Sequence, residues 1–279
     1  MSASRAQKAA LAAETLRILE AGFYTARGVT VNIKAQMDAS VQGSILYSPN
    51  DFNPDMLTVR AENVRPETSP TRFTVEAETS LSAARRFAIA EAQTSGRVMV
   101  LNFASAKNPG GGFLGGSQAQ EESLARSSAL YPCINQMQKM YRENRKSESC
   151  LYFHYMIYSP DVPVIRTDNG DLLERTYNVS FITAPAPNAG VARKRLPNPA
   201  ETIQTTMLER MDRILGLCML HKCDTLVLGA YGCGVFGNNI DDVAYYFRVL
   251  LTKKYKNVFQ HVHFAVPDRA DVFHKMFRV

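Results

Sequence analysis

Residues 225–266 read TLVLGAYGCGVFGNNIDDVAYYFRVLLTKKYKNVFQHVHFAV. A short apolar run (TLVLG, 225–229) precedes a glycine-rich stretch over 230–239. A helical stretch from Asp241 to about Lys254 and a second apolar run over 261–266 follow. Apolar runs of this length, bounded by turn residues, predict buried strands, so the segment reads strand, loop, helix, strand. The same alternation continues on both sides. A helix is predicted over 268–277 and another over 201–221, with a Pro-rich loop at 185–199 between that helix and a strand at 177–184 (YNVSFITA). Residues 151–158 read as a further strand, and a helical stretch starts at Glu121 that Pro132 should break or kink. VMVLNFA (98–104) is a buried strand, and RFTVEA (72–77) alternates as one. Between them Ser80 is the expected N-cap of a helix to about residue 94, with Leu81, Ala84, Phe87, Ala88 and Ala92 on one side and Gly96 as its end. Further out, residues 47–71 look irregular and 29–33 (VTVNI) look like a strand. Ser4 to Glu20 is predicted helical, with Leu11, Thr15, Ile18 and Leu19 near one face and Gly22 as the stop. Strands alternating with helices imply an α/β sheet covered by helices on both faces. Such sheets bind ligands beyond the carboxyl ends of their strands. Two glycine-rich loops fall there, 108–118 and 230–239.

Composition bounds the class. The chain has 279 residues, 46% hydrophobic and 21% charged, which is globular and excludes disordered, collagen-like and coiled-coil chains. No run approaches the about 18 consecutive apolar residues of a membrane helix, and Lys8, Glu14 and Arg17 interrupt the Ala-rich start, so neither a span nor a secretion signal is expected. The five cysteines (Cys133, Cys150, Cys218, Cys223, Cys233) are odd in number and are expected to be free thiols in a reducing, cytoplasmic setting. Cys218 and Cys223 flank His221, but a fourth zinc ligand is missing and the segment reads as the end of an apolar helix. The net charge of +6 favours polyanionic partners, nucleic acid among them, without requiring any.

Gly232, Gly234 and Gly237 spell GxGxxG between a strand and a helix. A nicotinamide site is nevertheless rejected: the region where the ribose-binding carboxylate belongs reads TKKYKNVFQHVHF, which has none. What remains is a loop whose amides can approach a diphosphate, with the positive end of the next helix aimed at it. The first loop carries Gly110, Gly111 and Gly112, then Gln120, Glu121 and Glu122. Consecutive glycines cost backbone entropy and commonly mark close approach to a ligand. Adjacent carboxylates beside them suit acid/base work on a glycosidic bond, although helix-dipole placement alone would also explain them.

GGG, seven residues, then QEE, within VMVLNFASAKNPGGGFLGGSQAQEESLARSSALY (98–131), resembles the signature of microbial-type poly(ADP-ribose) glycohydrolases. ETLRILEAGFY (14–24), YSPDVPVIR (158–166), FITAPAPN (181–188) and LVLGAYGCGVFGNN (226–239) extend the likeness over nearly the whole chain, in order. The resemblance implies a macrodomain-like, mixed, mainly parallel sheet flanked by helices, with residues 1–70 as a helical N-terminal extension packed on a catalytic domain of 71–279. It implies hydrolysis of ribose–ribose bonds in ADP-ribose polymers, or action on ADP-ribosylated protein, by a monomer needing neither cofactor nor metal. Glu122 would be the general acid/base and Glu121 the residue that orients the ribose. Gly110, Gly111, Gly112, Gln120 and Asn102 would contact diphosphate and ribose from one side. Gly232, Cys233, Gly234, Val235, Phe236 and Gly237 would do so from the other, with Phe236 on the ribose. Glu78 would accept from the adenine amino group, or be a solvated turn residue. Ala125 stands before Arg126 where the family often has cysteine, an exchange expected to be neutral. A non-catalytic ADP-ribose reader and a hydrolase of mono-ADP-ribosylated substrates remain the alternatives. A pH profile is expected to show an acid raised by the closed cleft.

Overall fold

A computed structural model describes residues 4–91 and 96–278. The chain opens with helix α1 (Arg5–Ala21), strands β1 (Phe23–Ala26) and β2 (Val29–Asn32), helix α2 (Lys34–Gly43), strand β3 (Ile45–Tyr47) and a single helical turn α3 (Pro54–Leu57). Then come β4 (Arg72–Glu76), α4 (Ser80–Glu91), β5 (Val98–Phe103), α5 (Gln120–Ser127), α6 (Leu130–Asn135) and α7 (Gln138–Lys146). The remainder is β6 (Met156–Arg166), β7 (Leu172–Ala184), α8 (Ala189–Arg195), α9 (Pro199–Leu220), β8 (Thr225–Leu228), α10 (Ile240–Thr252), β9 (His261–Ala265) and α11 (Ala270–Phe277).

A seven-stranded sheet runs in the order β3-β6-β7-β5-β8-β9-β4. The pairs β7–β5, β5–β8, β8–β9 and β9–β4 are parallel, while β3–β6 and β6–β7 are antiparallel. The sheet is therefore mixed and mainly parallel, as expected. Its central strands are buried on both faces, and the pleat sorts their side chains. Met99, Leu101, Leu226 and Leu228 pack on the face with Met211, Leu215 and Phe247 of α9 and α10. Val98, Val100 and Val227 pack on the other, with Leu81 and Phe87 of α4 and Leu124 of α5. Because five neighbouring strands run parallel, the loops after β4, β9, β8, β5 and β7 all leave at one rim of the sheet.

Several elements depart from expectation for local reasons. The cap of α4 is Thr79, whose hydroxyl accepts from the Ser82 amide at 3.0 Å, and Ser80 is already helical. The expected place of Ala92 on that helix lies outside the described residues. The helix begun at 120 breaks at Ser128–Ala129 rather than at Pro132, because the Ala129 amide leaves the helix for the Pro163 carbonyl at 3.0 Å. Pro132 sits in the first turn of α6, where no intrahelical donor is lost. The strand expected at 151–158 starts at Met156 and continues to Arg166 through a register shift between Ser159 and Val162. Pro160 is tolerated because it falls in that register shift, beyond the 156–158 stretch that β3 pairs with, and Pro163 because only its carbonyl is called on, accepting from Ala129 beside an isolated bridge between Ser128 and Val164. Within the expected loop 185–199, Asn188 caps α8 by accepting from the Val191 amide at 3.1 Å. Strand β2 pairs with β1 in a hairpin outside the main sheet.

Candidate active site

The loops after β5 and β8 face each other across a cleft of about 640 Å³ on the rim described above. Phe103, Ser105, Gly111, Gly112 and the start of α5 form one wall; Gly232, Gly234, Val235 and Phe236 form the other; Pro267 and Asp268 close one side. A smaller space of about 300 Å³ adjoins it at Phe103, Gln120 and Pro267 and continues to Thr79, Leu81 and Asp168.

On the first wall the glycines shape the loop around the acid pair. Gly110 and Gly111 have φ of +71° and +59°, a region that disfavours any side chain. A β-carbon on Gly111 would collide with the Glu122 carboxylate. The Gly112 amide donates to Glu122 Oε1 at 3.0 Å, and the Gly111 amide closes a turn on the Asn108 carbonyl at 3.0 Å. These two amides thus hold the loop and its acid. Gly110 is buried behind the loop, against Phe113 and Tyr131, and does not line the cleft.

Glu121 and Glu122 are neighbours in chain but differ in surroundings. Glu122 is half-buried at the cleft wall. Glu121 is 2% exposed, accepting from the Ser105 amide at 2.7 Å and from Asn102 Nδ2 at 3.3 Å. Burial pushes its pKa up to about 8, and the Glu122 charge adds to the rise while the Ser105 and Asn102 bonds oppose it. The acid that burial raises is therefore the residue expected to orient the ribose. Asn102 lies fully buried behind Glu121, with Nδ2 also 3.1 Å from Thr183 Oγ1, so it bears on the cleft through Glu121. Gln120 lines the cleft, but its amide is committed to the fold: it accepts from the Phe103 amide at 2.9 Å and donates to the Leu101 carbonyl at 2.7 Å.

The second wall is held from below. Gly232 (φ +71°) sits against the Ala186 methyl, and Asn238 Nδ2 donates to the carbonyls of Pro187 and Gly232, both at 2.9 Å. The Gly190 amide holds the Phe236 carbonyl at 3.0 Å, and Arg193 holds that of Gly237 at 2.8 Å. The amides of Gly234, Val235 and Phe236 donate to no acceptor among the described residues and remain available to an anion. The end of α10 does not contribute as expected, because Asn239 caps it by accepting from the Asp241 and Asp242 amides, and those two aspartates fill its first turn. Phe236 lines the cleft with Tyr152 behind it, ring centroids 5.8 Å apart. Val235 is 89% exposed at the rim. Cys233 turns away into the core beneath, and Gly237 is not on the cleft lining.

Glu78 is likewise off the cleft. Its carboxylate, partly buried, pairs with Arg86 and lies 3.1 Å from His263 Nε2, and it is not part of the lining of the adjoining space. Thr79 and Asp168 line that space instead, joined by a 2.8 Å bond from the Thr79 hydroxyl. His221, flanked by Cys218 and Cys223, is stacked on Tyr158 at 3.5 Å and bonded to Tyr47 at 2.8 Å, while both thiols are buried in the core.

A family described as "Microbial-type PARG, catalytic domain" matches residues 12–167. The chain belongs to the microbial-type poly(ADP-ribose) glycohydrolase family. No curated protein matches it. Among solved structures, the poly(ADP-ribose) glycohydrolase of Thermomonospora curvata is 40% identical, with 97% of this chain and 99% of that one covered and a TM-score of 0.89. The same organism's glycohydrolase bound to the inhibitor ADP-HPD is 41% identical over 96% of this chain and 98% of that one, TM-score 0.87. The Deinococcus radiodurans glycohydrolase in complex with ADP-ribose is 41% identical over 86% of this chain and 96% of that one, TM-score 0.78. The family membership accords with the macrodomain-like sheet and with the position of both glycine loops on one rim. Sequence reasoning missed four residues that shape this glycohydrolase cleft. Ser105 holds Glu121 by a backbone amide, Tyr152 backs Phe236, and Pro267 and Asp268 close the side. None of the four belongs to a spaced motif.

Proposed function

We propose that the chain hydrolyses the O-glycosidic ribose–ribose bonds of ADP-ribose polymers and releases ADP-ribose, with Glu122 as general acid and then base. The observation that carries the reading is the pairing of a carboxylate fixed by the Gly112 amide with a facing loop that offers free amides. The diphosphate lies along Gly234–Phe236, Phe236 packs on the ribose, and adenine extends toward Thr79 and Asp168. Glu121, kept largely protonated by burial, gives and takes hydrogen bonds with the ribose hydroxyls. Glu122 gives its proton to the departing ribose oxygen as the anomeric C–O bond breaks and the bonding pair goes to that oxygen. The carboxylate left behind removes a proton from water as the water oxygen bonds the oxocarbenium-like carbon, which restores the acid and yields ADP-ribose.

Residues 1–70 brace the catalytic part, 71–279, and also complete its sheet: β3 pairs with β6, and α1 reaches the GGG–QEE loop through Arg5 Nε, which donates to the Gly115 carbonyl at 2.9 Å. We also place the protein in the cytoplasm as a monomer. Its five free cysteines support a reducing compartment.

The test is turnover of labelled polymer and calorimetric binding of ADP-ribose by wild type and Glu122→Gln, with mono-ADP-ribosylated protein assayed in parallel. General acid–base help is worth about 10² to 10⁴ in rate, so turnover should fall by that factor while ADP-ribose affinity changes little. A variant that keeps most of its activity refutes the role of Glu122. Wild type that binds ADP-ribose without turnover makes the protein a reader.

A further inference from the structure

This inference rests on the glycohydrolase reading and concerns a residue that touches no substrate. Arg210, in the middle of α9, is the largest fully buried side chain among the described residues. Its Nη1 donates to the carbonyls of Leu151 at 2.9 Å and Pro185 at 2.7 Å, and its Nη2 to that of Tyr152 at 2.9 Å. Its Nε lies 3.3 Å from His154 Nδ1. Burial, with help from Arg210 and Arg213, pushes the His154 pKa down to about 3, so the ring is neutral and accepts at Nδ1. The adjacent Glu209 pairs with His154 Nε2 and Arg213, leaving Arg210 faced by carbonyls and an imidazole rather than by a carboxylate.

A guanidinium taken out of water without a counter-ion is costly, and a well-packed apolar side chain in its place is often no less stable. Its partners suggest what it is for. The three carbonyls belong to two separate segments, 151–152 before β6 and Pro185 after β7. Each segment supports the same wall of the cleft. Tyr152, held at φ +58°, sets its ring behind Phe236. Ala186 lies under Gly232, and Pro187 anchors Asn238, which in turn holds the Gly232 carbonyl. We propose that Arg210 is a positioning residue for the diphosphate-binding wall: it joins residues 151–152 to Pro185 and so fixes Phe236 and Gly232 in their ligand-binding arrangement.

The experiment compares wild type, Arg210→Lys, Arg210→Met, Tyr152→Ala, Phe236→Ala and the double variant Arg210→Lys/Phe236→Ala. The readouts are polymer KM and kcat per folded molecule, ADP-ribose Kd and Tm. An ammonium keeps the charge but cannot span three carbonyls in a planar fork. A displacement of about 1 Å costs up to about a hundredfold, so Arg210→Lys should raise KM and Kd roughly tenfold, and Arg210→Met more, with kcat at saturation changed less than about threefold. The Lys substitution should cost less on top of Phe236→Ala than in wild type, because part of its effect passes through that ring. Tyr152→Ala, which leaves the Arg210 bonds intact, should move KM in the same direction. A lowered Tm with wild-type KM and Kd in Arg210→Lys, or an unchanged KM in Tyr152→Ala, overturns the inference. Should Arg210→Met not fold, the Lys and Tyr152 variants carry the decision. Wild type that fails to bind ADP-ribose overturns the functional reading instead.

Discussion

Glu121 and Glu122 share a helical turn, yet only one of them is taken out of water. Glu121 has a folded-state pKa of about 8 against an ordinary value of 4.5, so the folded protein binds this proton more tightly than the unfolded chain does. The stability it contributes is fully present below about pH 4.5 and is lost as the pH rises through about 8. Thermal melts between pH 5 and pH 9 should therefore show wild type losing stability relative to Glu121→Gln, by of order a few kcal/mol at the alkaline end. Parallel curves for the two proteins would mean that Glu121 stays charged. The acid pair itself was legible from GGG and QEE, because a glycine run beside carboxylates is written in residue types. Its asymmetry was not, because burial depends on Asn102 and Ser105, which β5 and the loop after it bring under one carboxyl. Arg210 was less legible still. Within 201–221 it looks like any helical cation, and its partners are backbone carbonyls, which every residue carries alike.

Among the elements that do not line the cleft, α1 supports the site through a run of packed and bonded side chains. Ala12 packs with Phe113 and Ala125 in a small cluster between α1, the glycine loop and α5. Ala125 is thus the small buried filler that its replacement of cysteine suggested. Thr15, fully buried, donates to the Arg126 carbonyl at 2.6 Å and accepts from Arg166 Nε at 3.1 Å. Arg126 in turn donates to the Ser117 carbonyl at 2.7 Å and to Gln118 at 2.6 Å, so the chain of contacts ends in the loop between GGG and QEE. Thr15→Val keeps shape and removes both bonds. An unsatisfied buried group costs about 1–3 kcal/mol, and in a chain this long each kcal/mol lowers Tm by about 2–4 °C. The expected result is a Tm loss of several degrees by calorimetry, with polymer turnover also reduced. Unchanged turnover at matched folded fraction would confine α1 to a stabilising part. The sequence revealed this helix through its apolar face and Gly22, and the regular strands through their apolar runs. It concealed β6, because Pro160 and Pro163 look like breaks until the pairing shows Pro160 in a register shift and only the carbonyl of Pro163 called on, by Ala129.

For the whole molecule, charge and chain order matter most. A polymer with two charges per unit meets a protein of net charge +6. Salt screens such attraction beyond a Debye length of about 8–10 Å, so kcat/KM on polymer should fall several-fold between about 50 and 300 mM salt while kcat stays level. Steady-state kinetics across that range checks this, and a flat kcat/KM would limit the interaction to the cleft. The sheet order adds a consequence for synthesis. β4 pairs only with β9, so residues 72–76 wait for residues 261–265. The cleft lining likewise draws on residues from Phe103 to Asp268. Chains emerge from the ribosome N-terminus first, and long-range parallel pairing is slow. A growing chain therefore holds both glutamates long before it holds a cleft, and it cannot act on polymer until residues past 268 have emerged. During that interval β4 is an unpaired strand, open to mispairing with a neighbour.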